Sequence, residues 1–125
     1  MAAISISEAE SEVMKALWAA GEATAEDLIS AVAAPHGWAE PTVRTLINRL
    51  LTKGALSAER EGRRYRYRPV LSHDQWLAQQ SSGVLERLFG GRVAPLVAHF
   101  SEQGKLTRRD IEELRKLIAD FDDGR

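Results

Sequence analysis

The sequence predicts a mainly α-helical chain interrupted by a small β-hairpin. Three observations carry that prediction. Apolar residues recur at helical spacing through most of the 125 residues, the period of an amphipathic helix. That period gives way to strict alternation in Tyr65-Arg66-Tyr67-Arg68, as in a half-buried strand. Serine or threonine followed three residues later by an acid opens helical stretches, and glycine closes them, in the manner of capping boxes and left-handed stops.

The elements follow in order. Ser7-Glu8-Ala9-Glu10 is a capping box, with Ser7 as N-cap and Glu10 at N3. Val13, Met14, Leu17 and Trp18 then fall at helical spacing, so the first helix reaches Ala20 and Gly21 ends it. Thr24 caps a second helix with Glu26 and Asp27 in its first turn, where the helix dipole favours acids. Leu28, Ile29 and Val32 supply its inner face. Ala34-Pro35-His36-Gly37-Trp38 reads as a loop, on the strength of its proline and glycine.

The third helix organises the chain. Glu40, just before a proline, is pushed out of the helical region and marks the boundary. Pro41 suits the first helical position, and Gly54 stops the helix after Lys53. Val43, Leu46, Ile47, Leu50 and Leu51 make one apolar stripe. Thr42, Thr45, Asn48, Arg49 and Thr52 point away from it, with Arg44 and Lys53 on its flanks. An outer face of short hydrogen-bonding side chains and arginines suits a DNA major groove, where Arg reads guanine and Asn reads adenine.

Beyond Gly54, residues 55–60 predict a strand and Glu61-Gly62-Arg63 a hairpin turn, leading into the alternating stretch. Three helices followed by a basic hairpin is the winged-helix arrangement: the second and third helices form the helix-turn-helix, and the hairpin is the wing. Charge agrees with this. The formal net charge is −1. Yet residues 41–68 hold eight basic side chains against Glu59 and Glu61, while the rest of the chain is acidic. Local charge, not the total, decides whether a surface attracts phosphate. Thr42, Arg44, Thr45, Asn48, Arg49, Lys53, Arg63 and Arg64 are therefore the expected DNA contacts. Thr45 can set its methyl against thymine, Arg49 and Lys53 position the backbone, and Arg63 and Arg64 touch phosphate or a narrow minor groove. Trp18 and Trp38 are expected in the core, Tyr65 and Tyr67 as wing support, and Trp76 where wing meets tail.

Pro69 separates residues 1–70, the reading domain, from residues 71–125. In the tail, Ser72-His73-Asp74-Gln75 opens a long helix, Gly90-Gly91 breaks it, and Pro95 sits in the first turn of the next. Thr107-Arg108-Arg109-Asp110 starts the last helix, and residues 122–125 form a frayed tail. These fifty-odd residues are too few for a self-sufficient core. They are nonetheless rich in large apolar groups. Burial against a second copy through Leu85, Leu88, Phe89, Leu96, Phe100, Ile111, Leu114 and Ile118 is the simplest solution. A two-fold dimer sets two recognition helices about 34 Å, or a multiple, apart on DNA.

The totals exclude several other functions. There is no cysteine, hence no disulfide, thiolate metal site or cysteine nucleophile. His36, His73 and His99 lack a second ligand at helical spacing, so neither a metal nor a cofactor is expected. No nucleophile–base constellation argues for an enzyme. No apolar run is long enough to span a bilayer, and the first residues lack the blocks of a signal peptide, so a cytoplasmic location is expected. Two other uses of this fold stay open: a protein-interaction module, and a ligand- or metal-responsive regulator.

The ordered set of motifs resembles the penicillinase-repressor family (BlaI/MecI/CopY type). Ile6-Ser7-Glu8-Ala9-Glu10 with Val13-Met14 and Leu17-Trp18 is similar to its first helix. Thr42-Val43-Arg44-Thr45-Leu46, Asn48-Arg49-Leu50 and Lys53-Gly54-Ala55-Leu56 are similar to its recognition helix and following strand. Arg64-Tyr65-Arg66-Tyr67 is similar to its wing, and Phe89-Gly90-Gly91, Leu106 and Ile111-Glu112-Glu113-Leu114 to its dimerisation helices. The resemblance implies a homodimeric transcriptional repressor on palindromic operators with TACA and TGTA halves. In the β-lactam-resistance branch it implies release by cleavage under a membrane sensor protease, at a bond similar in position to His99–Phe100, where that branch has Asn before Phe. The cysteine cluster of the copper-responsive branch is absent here, so its metal sensing does not carry over. Ala39 replaces the family's usual serine before the recognition helix, which leaves capping to Glu40.

Overall fold

The computed structural model describes residues 3–123. Its elements are α1 (Glu8–Ala20), β1 (Ala23–Thr24), α2 (Ala25–His36), α3 (Glu40–Lys53), β2 (Leu56–Glu61), β3 (Arg64–Pro69), α4 (His73–Phe89), α5 (Val93–Glu102) and α6 (Arg108–Asp123). The chain divides into two compact units, one ending at Ala78 and the other starting at Gln79.

In the first unit the capping signals are realised as hydrogen bonds. The Ser7 hydroxyl accepts from the Glu10 amide at 3.1 Å, and the Glu10 carboxylate accepts from the Ser7 amide at 2.8 Å. Thr24 and Asp27 repeat the exchange at the start of α2. Each box satisfies amides that a helix start otherwise leaves without partners. The helices then close one core. Val13, Met14 and Leu17 of α1, Leu28 and Val32 of α2, and Val43, Leu46, Ile47 and Leu50 of α3 are buried together with Leu56, Tyr67 and Leu71. Each such aliphatic side chain contributes about 1.5–3 kcal/mol.

The sheet covers one end of this core. Its order is β1-β3-β2, all antiparallel. Ala58 and Ala23 flank Tyr67 from either side. The hairpin root is clamped: the Ala55 carbonyl accepts from both the Val70 and Leu71 amides, at 2.8 and 2.9 Å. Trp18 Nε1 then donates to the Leu71 carbonyl at 2.9 Å. Trp18 and Trp38 are partly buried against the core, as the sequence suggested.

Several expectations need correction. Residues 34–36 are not a loop, because α2 continues through His36 with Pro35 inside its last turn. A proline removes only one bond there, and the left-handed Gly37 donates back to the Ala33 and Ala34 carbonyls. Glu40 is the first helical residue of α3, with Ala39 as N-cap and no side-chain cap. Glu40 thus neither marks a pre-helical boundary nor caps. Leu51 is 40% exposed and leaves the buried stripe. The strand at residues 55–60 is β2, Leu56–Glu61, so the turn shortens to Gly62-Arg63. Glu61 pairs with Arg64 across it, and Gly62 has the positive φ of 63° that the first turn position needs. The edge strand β1 has no sequence signature. Leu71 is buried, and Trp76 packs against Trp18, ring centroids 5.4 Å apart, within the first unit.

One charged pair crosses this core. Glu10 is buried, and its Oε1 accepts from Lys53 Nζ at the far end of α3. The carboxylate therefore serves the start of α1 and the end of α3 at once. Burial alone pushes its pKa up; the Lys53 and Ser7 hydrogen bonds outweigh that and hold it below the ordinary carboxylate value.

The second unit is helical throughout. The Thr107 hydroxyl and Asp110 carboxylate exchange bonds with each other's amides, each at 3.1 Å, to start α6. Pro95 lies in the first turn of α5. From Gln79 to Asp123 no described side chain is buried. Residues 122 and 123 still belong to α6, while the expected frayed residues 124 and 125 lie outside the described residues.

Replacing Glu10 by Gln is expected to cost about 1–3 kcal/mol, because the ammonium of Lys53 loses its charged partner. The cost carries a pH signature. A depressed carboxylate stabilises fully above its unfolded value and loses that contribution as pH falls through the folded one. Denaturant unfolding from pH 6 down to pH 3 is therefore expected to show a steeper stability loss in the parent than in Glu10→Gln.

Candidate nucleic-acid interface

Burial of one α3 face leaves the other outward. Thr42, Arg44, Thr45, Asn48, Arg49 and Thr52 are all exposed. The helix is set by its ends: Pro41 presets φ in the first turn, and Gly54 at φ 79° lets the chain turn into β2. The hydroxyls of Thr45 and Thr52 donate to the carbonyls of Pro41 and Asn48, both at 3.0 Å. That leaves their methyls and lone pairs for an incoming surface. Thr45, Asn48, Arg49, Thr52 and Lys53 line a shallow cleft along the helix.

The cations fall into two groups. Among the described residues Arg49, Arg60, Arg63 and Arg64 make no ion pair, and Arg60 donates to the Gly62 carbonyl at 3.1 Å. The others are held. Arg44 donates from Nε and Nη2 to Glu40 Oε1 at 3.2 and 2.8 Å, and its Nη2 lies 3.9 Å from Glu26. The Glu40 hydrogen bond raises the guanidinium pKa further. Arg66 binds Glu61 at 2.8 Å and reaches Glu22 at 3.6 Å. Arg68 binds the other Glu22 oxygen at 2.9 Å. Lys53, expected to position the DNA backbone, is engaged by Glu10.

The first turn of α2 is where these groups converge. Glu26 meets Arg44 of α3. Asp27 is held below the ordinary aspartate pKa, chiefly by the Thr24 amide and hydroxyl, with Arg66 and Arg64 adding to the effect. Thr24 pairs with Arg66 in the sheet. Tyr67 is buried there, and desolvation pushes its phenol up and keeps it neutral. Tyr65, in contrast, is 49% exposed. The basic segment is thus less cationic than a count over residues 41–68 suggests, because Glu22 and Glu26 come from outside that window. The Glu40–Arg44 pair was detectable from its i, i+4 spacing.

The remaining sequence-derived residues lie in the second unit. Leu85, Phe89, Leu96 and Leu114 are half-buried, while Leu88, Phe100, Ile111 and Ile118 are exposed. Leu96, Phe100, Leu106, Leu114 and Leu117 line an apolar groove formed by α5 and α6. His99 sits inside α5, its ring 5.9 Å from Phe89 and 5.4 Å from Phe100. His36 stacks on Trp38 and faces Glu12, and His73 packs on Trp18. No three described acids or histidines cluster as metal ligands, and no described helix is long and apolar enough to cross a membrane.

A three-helix core with a basic hairpin defines the winged helix-turn-helix class, with α2 and α3 as the helix-turn-helix and β2–β3 as the wing. The chain belongs to the penicillinase repressor family, which matches residues 6–120. It is 30% identical over 115 residues to the penicillinase repressor of Bacillus licheniformis, covering 92% of this chain and 90% of that one. It is also 30% identical over 113 residues to the methicillin resistance regulatory protein MecI of Staphylococcus aureus strain N315, covering 90% and 92%. Among solved structures, the DNA-binding domain of the repressor BlaI matches with a TM-score of 0.54 and 34% identity, covering 60% of this chain and 93% of that one. Monomeric Bacillus licheniformis BlaI in complex with the blaP half-operator matches with a TM-score of 0.53, 34% identity and the same coverage.

Gly62→Ala tests the wing. A methyl there meets open space, so the cost comes from the positive φ alone, about 1–2 kcal/mol. Faster amide exchange in β2 and β3, with unchanged protection in α1 and α3, is the expected readout.

Proposed function

We propose that this chain is a transcriptional repressor that binds a double-stranded DNA operator as a homodimer, with α3 in the major groove and the wing on the flanking backbone. One observation carries the reading: α3 buries one face completely and turns an uninterrupted polar face outward, with Arg49 unpaired upon it. Asn48 has the chemistry to read adenine, and the Thr45 methyl to meet thymine. Arg49, Arg63 and Arg64, unpaired by acid, suit phosphate. Lys53 serves the fold through Glu10 and leaves this task to Arg49. The family and the similarity to operator-bound BlaI support DNA binding; the operator in this proposal is a palindrome with TACA and TGTA halves.

The second unit supplies the dimer in this proposal. Leu88, Leu117, Ile118 and Phe121 are each more than 60% exposed, far more large apolar surface than a short helical segment tolerates alone. Release through a membrane sensor protease at His99–Phe100 requires α5 to unwind first, because that bond lies within the helix.

Titration of a palindromic TACA/TGTA duplex and a scrambled duplex at two salt concentrations tests the function. The proposal requires preference for the palindrome and a steep salt slope; equal binding of both duplexes refutes it. Arg49→Ala is expected to weaken both complexes and to lower the slope by about one. Leu114→Asp is expected to halve the sedimenting mass and to cost operator affinity with it, and an unchanged mass removes α6 from the dimer contact.

A further inference from the structure

We propose that Glu40 is a positioning residue that makes Arg44 a reader of guanine rather than another phosphate clamp. The inference rests on the DNA-binding reading above and assigns a role within it.

Glu40 occupies the first helical position of α3, the end whose residues meet base edges in helix-turn-helix proteins. As a first-turn acid it also faces the positive end of the helix dipole, a modest effect at an exposed position. Ala39 holds the N-cap position, and no side chain caps the helix. Both members of the pair are half exposed, and exposed ion pairs add little to stability. A carboxylate at this place also repels DNA phosphate. The side-chain contact it does make is with Arg44.

The bonding geometry says what that is. One Glu40 oxygen takes Nε at 3.2 Å and Nη2 at 2.8 Å, so the side edge of the guanidinium is occupied. Nη1 and the second proton of Nη2 remain. These form the terminal edge, the fork that matches O6 and N7 of guanine. Glu26 of α2 lies 3.9 Å from Nη2 and holds the same group from the neighbouring helix. Two acids balance the charge of Arg44, which reduces its pull on any phosphate within reach. Arg49, by contrast, has no acid partner and stays a general cation.

The test uses the full chain and a pool of random-sequence duplexes. The parent is expected to select a preferred sequence containing a G·C pair whose replacement costs about tenfold in affinity. Arg44→Ala and Glu40→Gln are each expected to remove discrimination at that same pair, and the double variant to do no more than either. Glu40→Gln is also expected to bind unrelated duplex more tightly, with its salt slope undiminished, whereas loss of a phosphate contact lowers the slope. Circular dichroism and the melting point, unchanged for these surface positions, separate this from unfolding. If Glu40→Gln keeps the parent's discrimination where Arg44→Ala loses it, the role of Glu40 is overturned and DNA reading stands. If Arg44→Ala keeps discrimination at every pair, the inference falls likewise. A parent that selects no sequence overturns both.

Discussion

The arrangement depends on how α3 is held. Val43, Leu46, Ile47 and Leu50 are at most 5% exposed, packed on α1 and α2. Such a stripe fixes the rotation of the helix about its own axis, because a slip by one residue drives Arg44 or Asn48 into the core. At the far end Lys53 meets the buried Glu10 of α1. The rotation is thus set by apolar packing along the helix and by a charge contact at its close. What the helix offers to solvent follows from what it gives to the core.

Around that rigid element the charges are sorted rather than merely concentrated. The cations nearest the first turn of α2, Arg44 and Arg66, are met by Glu26, Glu40, Glu22 and Glu61. Among the described residues Arg49, Arg60, Arg63 and Arg64 form no such ion pair. A surface on which every arginine is unpaired grips any polyanion. One on which some are restrained gains geometry at the expense of raw attraction. The sheet ties the wing to the start of α2 through the pairing of Thr24 with Arg66.

Much of this was legible in the sequence, and the gaps have physical causes. Capping boxes at Ser7 and Thr24, the α3 stripe and the alternating Tyr65–Arg68 segment are local patterns, and local patterns survive folding. Pro35 reads as a breaker, yet a last-turn proline lacks only one bond, so α2 runs on to His36. Helical periodicity carries the apolar stripe on to Leu51, because spacing alone does not mark where burial stops. Strand β1 was invisible: two residues have no period, and their pairing with Arg66 and Tyr67 spans some forty positions. The same distance hid Glu10 beneath Lys53 and Glu22 beside Arg68. Charge windows drawn along the chain miss acids that arrive from elsewhere in space.

Both side chains of the Glu40–Arg44 pair are about half exposed, at 58% and 46%. Changes at surface positions of this kind shift stability by about half a kcal/mol or less. If the pair reads bases as proposed, a lineage can retune that preference without first securing spare stability to survive the exchange. On that reading, target choice and structural integrity sit on separate faces of one helix, and the first can change while the scaffold stays the same.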